Sequence, residues 1–212
     1  VCYRLHQDFG LTYKPAEITV ASGAKHCLYI AMQCLLNPGD EVILPAPYWV
    51  SYVEMIRMCG AVPVVIETTH EDHFKITPEK LEAAITDKTK LMILNNPSNP
   101  TGMIYGQDEL KALADICVAH DLYIISDEIY YCLVYDHRPF TSVASLGEEI
   151  KAHTILINGV SKAYAMTGWR IGYAAAPENI SKVMSNYLGH STAAPSTISQ
   201  AAAVEAFRGS QD

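Results

Sequence analysis

No stretch of about 18 consecutive apolar residues occurs in the chain, which excludes an ordinary membrane-spanning helix. Val1–Gly10 also lack the charged-then-apolar pattern of a secretory leader, so the sequence reads as that of a soluble protein. Positive charge is scarce: 15 Lys and Arg stand against 23 Asp and Glu, for a net charge of −8. Nucleic acid and anionic membrane both require a basic face, so neither is expected as a partner. The six cysteines never form Cys-x-x-Cys and the eight histidines never form His-x-x-x-His. That leaves no metal motif, and the cysteines are expected as reduced core residues of a cytoplasmic protein. No repeat, low-complexity tract or linker divides the 212 residues, so residues 1–212 read as one domain.

What the chain does contain is one unusual segment, Asn158 to Tyr173, which is small and apolar except for two cations, Lys162 and Arg170. A lysine held in a poorly solvated pocket beside another cation loses proton affinity and attacks carbonyls. The planar fork of arginine suits a phosphate. The pair points to an amine that forms a Schiff base with a phosphorylated aldehyde, and pyridoxal 5′-phosphate is the natural candidate. A surface lysine and arginine flanking a helix end would look the same in isolation.

Strands and helices alternate along the chain. Strands are expected at 17–21, 41–44, 61–66, 90–94, 122–125, 153–157 and 171–175. Helices are expected at 26–36, 53–58, 78–84, 108–120, 178–188 and 196–207, with an opening helix that ends at Gly10. This order predicts an α/β fold, a mostly parallel sheet with helices on both faces. In such sheets ligands bind at the carboxyl ends of the strands, where six candidate groups fall. Ser22-Gly23-Ala24-Lys25 offers the backbone N–H groups of Gly23, Ala24 and Lys25 at a helix start, a natural anion seat. An aromatic at Tyr48-Trp49 is placed to stack on a flat ring, the alternative being that both are core or interface aromatics. Asn99 sits in a rigid Asn-Pro-Thr-Gly turn, with its amide free to bond a ring oxygen. Asp127 follows four apolar residues, and a buried carboxylate requires a partner such as a protonated ring nitrogen. An N-cap aspartate would share that pattern. Tyr130 follows Asp127 by three residues, and Lys162 follows the strand at 153–157.

Asn99-Pro-Thr-Gly102, Ser126-Asp-Glu-Ile-Tyr130, Ser161-Lys162 and Thr167-Gly-Trp-Arg-Ile-Gly-Tyr173, in that order and spacing, resemble the class I/II aminotransferases. These are fold-type I pyridoxal-phosphate enzymes of the aspartate aminotransferase superfamily. Pro47–Tyr52 and Ala165–Arg170 look most like its bacterial-type aspartate aminotransferase branch. The resemblance implies that Lys162 binds the cofactor covalently and moves the proton, that Asp127 pairs with the pyridine nitrogen, and that Asn99 and Tyr130 bond the phenolic oxygen. It also implies that Trp49 stacks on the ring, while Arg170 with the N–H groups of Gly23, Ala24 and Lys25 holds the phosphate.

The resemblance further implies transfer of an amino group between an aspartate-like or aromatic amino acid and a 2-oxo acid, in a homodimer. A β- or γ-eliminating lyase of the same fold and a non-catalytic cofactor-binding regulator are the alternatives. Two positions depart from the family pattern. Gly159 and Ala24 stand where many relatives carry a phosphate-binding hydroxyl, which shifts that task to backbone amides, Ser22 or Ser161. No N-terminal arm, small domain with a carboxylate-binding arginine, or partner-reaching tyrosine is recognisable, so the segment reads as the large cofactor-binding domain only, doubtful as an enzyme by itself.

Overall fold

The computed structural model describes residues 1–211. In chain order the elements are α1 (Cys2–Phe9), β1 (Ile18–Ala21), α2 (Ala24–Leu35), β2 (Glu41–Pro45), α3 (Ser51–Met58), β3 (Val62–Ile66), α4 (Pro78–Ala84) and β4 (Thr89–Asn95). They continue with α5 (Gln107–Ala119), β5 (Tyr123–Asp127), α6 (Glu148–Ala152), β6 (Thr154–Gly159), β7 (Gly172–Ala175), α7 (Glu178–Ser191) and α8 (Thr197–Arg208). Local chemistry explains several ends. Gly10 takes the left-handed conformation that closes α1, and the Thr77 side chain caps α4 with Pro78 at its first position.

The seven strands form one sheet in the order β1-β7-β6-β5-β4-β2-β3. Pairings are parallel from β3 across to β6 and antiparallel on both sides of β7, so β7 alone runs against the rest. The expected mostly parallel α/β sheet is present, with one reversed strand that the sequence did not mark. Alternate residues of the central strands enter two different cores. Val42, Leu44, Leu91 and Ile93 pack under α2, α3 and α7, while Ile43, Met92 and Leu94 pack under α4, α5 and α6. Helices on both faces account for the near-continuous apolar runs of β2, β4 and β5. A third cluster joins α1 and α8 to β6 and β7 through Leu5, Leu156, Tyr173 and Phe207.

Of the cysteines expected in the core, Cys27 and Cys117 are buried, Cys2, Cys34 and Cys59 are half-buried, and Cys132 is exposed. Cys132 lies on the irregular segment after β5, where no sheet face covers it. Among the described residues no helix is long and apolar enough to cross a membrane.

Reversal of β7 brings its first residue, Gly172, opposite both Ala21 and Gly159. A Cβ on Gly172 would overlap the backbone of Gly23 and Ala24, and one on Gly159 would lie 2.7 Å from the Ile171 carbonyl oxygen. These glycines let the turn between β1 and α2 settle directly onto β7. Gly172→Ala is therefore expected to lower stability by about 1–3 kcal/mol, the usual penalty for overpacking against rigid atoms. Gly189 meets nothing within 4 Å of an added Cβ, and it lies inside α7. Gly189→Ala should stabilise by about 0.5–1 kcal/mol, so opposite shifts of the two urea midpoints are the expected pattern.

Candidate functional site

The carboxyl ends of β4, β5 and β6, together with the start of α2, open onto a cavity of about 410 Å³. Its lining includes Ala24, Lys25, Trp49, Asn99, Asp127, Tyr130, Lys162 and Arg170. Eight of the nine residues singled out in the sequence thus share one wall. Arg170 arrives there because it precedes the reversed β7, whereas the others follow forward strands.

Asp127 ends β5 at the floor of the cavity and is only 3% exposed. Its Oδ2 accepts a 2.7 Å hydrogen bond from the Tyr52 hydroxyl, and its Oδ1 accepts one from the Ile129 N–H at 3.2 Å. Burial pushes this carboxyl up to about 6, although both donors hold it down. No helix follows, so the N-cap alternative does not apply; the side chain bonds the backbone two residues on instead. Among the described residues no cation pairs with Asp127.

Tyr52 escaped the sequence reading. It opens the apolar stripe of α3, three residues after Trp49, and is buried like any core aromatic. The helix was expected to begin at Val53, which left Tyr52 in the preceding loop. The Trp49 and Tyr52 rings meet edge to face, with centroids 5.3 Å apart. A polar tip on a helical stripe directed at a strand end is the signal that would have found it.

On the opposite side the Asn99 amide donates to the Tyr130 hydroxyl at 3.3 Å, while the Asn99 N–H is held by Asn95 Oδ1 at 2.7 Å. Lys162 Nζ stands 5.7 Å from the centre of the Tyr130 ring. Lys162 is exposed at the cavity's open side, so the poorly solvated lysine of the sequence expectation is not what this chain builds. The strand that delivers it ends at Gly159, and nothing in the described residues roofs the turn that follows.

The Arg170 guanidinium donates to the carbonyls of Thr167 at 3.0 Å and Ser22 at 3.3 Å. Those two bonds leave further donors of its fork available to an anion. Arg170 itself has φ 54°, the left-handed region that L-residues adopt mainly where the surroundings impose it. Gly23 has φ 93°, a conformation that L side chains rarely adopt, and a Cβ there would also press on the Arg170 guanidinium, so glycine suits this position.

The expected use of the Gly23 N–H as an anion donor is corrected by the structure. That N–H is already bonded to the Ala21 carbonyl at 2.7 Å, closing the tight turn into α2. Gly23 serves the site as a spacer for Arg170, while the first-turn N–H groups of Ala24 and Lys25 have no helical carbonyl behind them. Of the hydroxyls considered as substitutes, Ser161 lines the cavity and Ser22 does not; Thr167 lines it too and was not assigned a role in the sequence. Tyr48 faces a neighbouring small cavity, so Trp49 is the ring at the site. Lys25 Nζ lies 4.7 Å over that ring.

The family model for aminotransferase class I and II matches residues 2–212. The chain belongs to that aminotransferase family. It is 55% identical over 206 residues to an aspartate aminotransferase of Geobacillus stearothermophilus, covering 97% of this chain and 52% of the relative. It is 48% identical over 213 residues to an aspartate/prephenate aminotransferase of Cereibacter sphaeroides, covering 53% of that protein. Among solved structures, the aspartate aminotransferase of Rhizobium meliloti superposes with a TM-score of 0.97 at 45% identity, over all of this chain and 53% of that one. This aminotransferase-family chain thus spans about half the length of the relatives it matches.

Proposed function

We propose that the chain carries the cofactor site of a pyridoxal-phosphate-dependent aminotransferase that moves an amino group between an acidic amino acid and a 2-oxo acid. The observation that carries this reading is Asp127: a buried carboxylate without a cation, on the floor of the cavity whose rim bears Lys162. A buried anion demands a positive partner, and a protonated pyridine nitrogen is a cation of the right size and shape. When bound, pyridoxal phosphate supplies a conjugated ring that accepts the electron pair released at the substrate's α-carbon.

The chain's own residues have separable tasks. Asp127 holds the ring nitrogen's proton in place, with Tyr52 fixing the carboxylate. Tyr130 and Asn99 donate toward the ring oxygen, and Trp49 covers one face. Arg170, the Ala24 and Lys25 N–H groups, Ser161 and Thr167 surround the anionic end, as expected of a helix start with an arginine beside it. Lys162 Nζ would hold the aldehyde end of the cofactor and would move the proton at the substrate's α-carbon.

Acidic substrates are favoured because several relatives bear the name aspartate aminotransferase. The family resemblance adds a homodimer as a further expectation, and the cysteine usage a cytoplasmic location. No observation favours the lyase or the regulator. The test is to add pyridoxal phosphate to the purified protein, reduce with borohydride and map the modified peptide by mass spectrometry. A visible absorption band with the label on Lys162 is expected. A label spread over other lysines would overturn the assignment.

A further inference from the structure

Glu128 directly follows Asp127, yet strand alternation sends its side chain to the opposite face, away from the cavity. It is 1% exposed, and a single oxygen, Oε1, accepts three hydrogen bonds: from Ser126 Oγ at 2.8 Å, Ser142 Oγ at 2.9 Å and the Val143 N–H at 3.1 Å. The other oxygen, Oε2, has no partner among the described residues. Ser126 lies on β5, whereas Ser142 and Val143 lie beyond an excursion without strand or α-helix, residues 128–141. One carboxyl oxygen therefore ties together the two ends of that excursion.

Tyr130 rides on the excursion, two residues from the tie. Its neighbour Tyr131 donates to Asp8 at 2.9 Å and packs edge-on against Phe9, with ring centres 5.1 Å apart, so the segment is also docked on α1. At the near end of the segment the Ile129 N–H bonds Asp127 Oδ1 at 3.2 Å, whereas Glu128 reaches its far end at Ser142 and Val143. We propose that Glu128 is a positioning residue: by closing the base of the 129–142 segment it holds the Tyr130 hydroxyl beside Asn99 at the cofactor's ring oxygen. This inference rests on the proposed cofactor reading for its second half; the tie itself does not.

Glutamine has the same length and retains a carbonyl acceptor for the three donors, whereas alanine leaves all three buried and unmatched. Burial pushes the Glu128 carboxyl up to about 7, so a neutral side chain is close to its native state at neutral pH. The experiment compares Glu128→Ala, Glu128→Gln and Tyr130→Phe in the full-length protein, by two measurements. In hydrogen exchange without cofactor, Glu128→Ala should raise exchange across 129–142 at least tenfold while Ile124–Ser126 stay protected, and Glu128→Gln should match the native protein.

The second measurement is the pH at which the visible band of bound pyridoxal phosphate titrates. A hydrogen bond to the ring oxygen favours its anionic form, so losing the Tyr130 donor raises that pH by about one unit. Glu128→Ala should produce a similar rise in the native background and no further rise on top of Tyr130→Phe. Additive shifts, unchanged exchange in Glu128→Ala, or a Glu128→Gln protein that behaves like Glu128→Ala would each overturn the proposal. If Glu128→Ala fails to fold, Ser142→Ala removes one of the three donors and should give the same changes at smaller size; no change in it would likewise overturn the proposal. Absence of any visible band in the native protein would defeat the cofactor reading alone, with the exchange measurement still deciding whether the tie exists.

Discussion

Lys162→Ala protein will fold normally, bind pyridoxal phosphate reversibly and show amino-group transfer slowed by on the order of 10²–10⁴-fold, the range for loss of a positioned acid–base group. Folding should survive because Lys162 is exposed at the cavity rim, and truncating an exposed side chain seldom changes stability by more than about 0.5 kcal/mol. Chemistry should not survive, because no other lysine of the cavity wall shares its position. Lys25, the other lysine there, lies over the Trp49 ring at the start of α2. Lys162→Arg should be as inactive as the alanine variant, since a guanidinium stays protonated and cannot attack or accept a proton. The measurement is a single-turnover reaction of the full-length protein with aspartate, followed by the loss of the visible band. A rate within tenfold of native would remove Lys162 from the reaction.

How much of this site was legible in the sequence depends on what each residue had to reveal. Asp127, Asn99, Lys162 and Arg170 are polar groups set against apolar or rigid surroundings, and such contrast survives in a string of letters. Tyr52 lacked that contrast because an aromatic on a helical stripe is ordinary core, and only its hydroxyl's 2.7 Å bond to Asp127 gives it away. The Gly23 N–H was visible as a donor, but its engagement by Ala21 depends on the turn's closure.

The order of the strands was less legible than their positions. Ile171–Ala175 reads as any buried strand, and its reversal accompanies a connection from β6, residues 160–171, that contains no α-helix to carry a parallel crossover. Close approach of backbones is likewise invisible without coordinates, which is why Gly159 and Gly172 were read only as a missing hydroxyl and a motif position. Glu128 was overlooked because it adjoins a more conspicuous acid, and only the alternation of β5 separates their two faces.

Asp127→Asn is expected to strengthen the cofactor-free protein at pH 8 while weakening its hold on pyridoxal phosphate. An ordinary aspartate titrates near 3.8, and burial raises this one to about 6. Between those values the folded state binds more protons than the unfolded chain. The contribution of Asp127 to stability is therefore least unfavourable below about 4, worsens as pH rises to about 6, and stays fully unfavourable above that. The gap corresponds to roughly 3 kcal/mol that the buried charge takes from the fold at pH 8. Asparagine removes that charge, keeps the size, and still offers one oxygen to Tyr52 or Ile129, so thermal unfolding at pH 8 should move upward. Near pH 4 the two proteins should converge.

With cofactor present the order should reverse. Losing the anion that faces a buried cation typically amounts to about 3–5 kcal/mol, so affinity should fall by on the order of 10²- to 10⁴-fold. Tyr52→Phe provides an intermediate case. It leaves the carboxyl with one donor instead of two and should weaken binding by about tenfold, as loss of a hydrogen bond to a charge does. Should Asp127→Asn prove less stable than native at pH 8 without cofactor, Asp127 would be a structural strut and not a charge held ready for a cationic ring. The expected crossing of the two variants, more stable empty and weaker when loaded, arises only if the fold tolerates an unpaired buried charge for the sake of what binds against it.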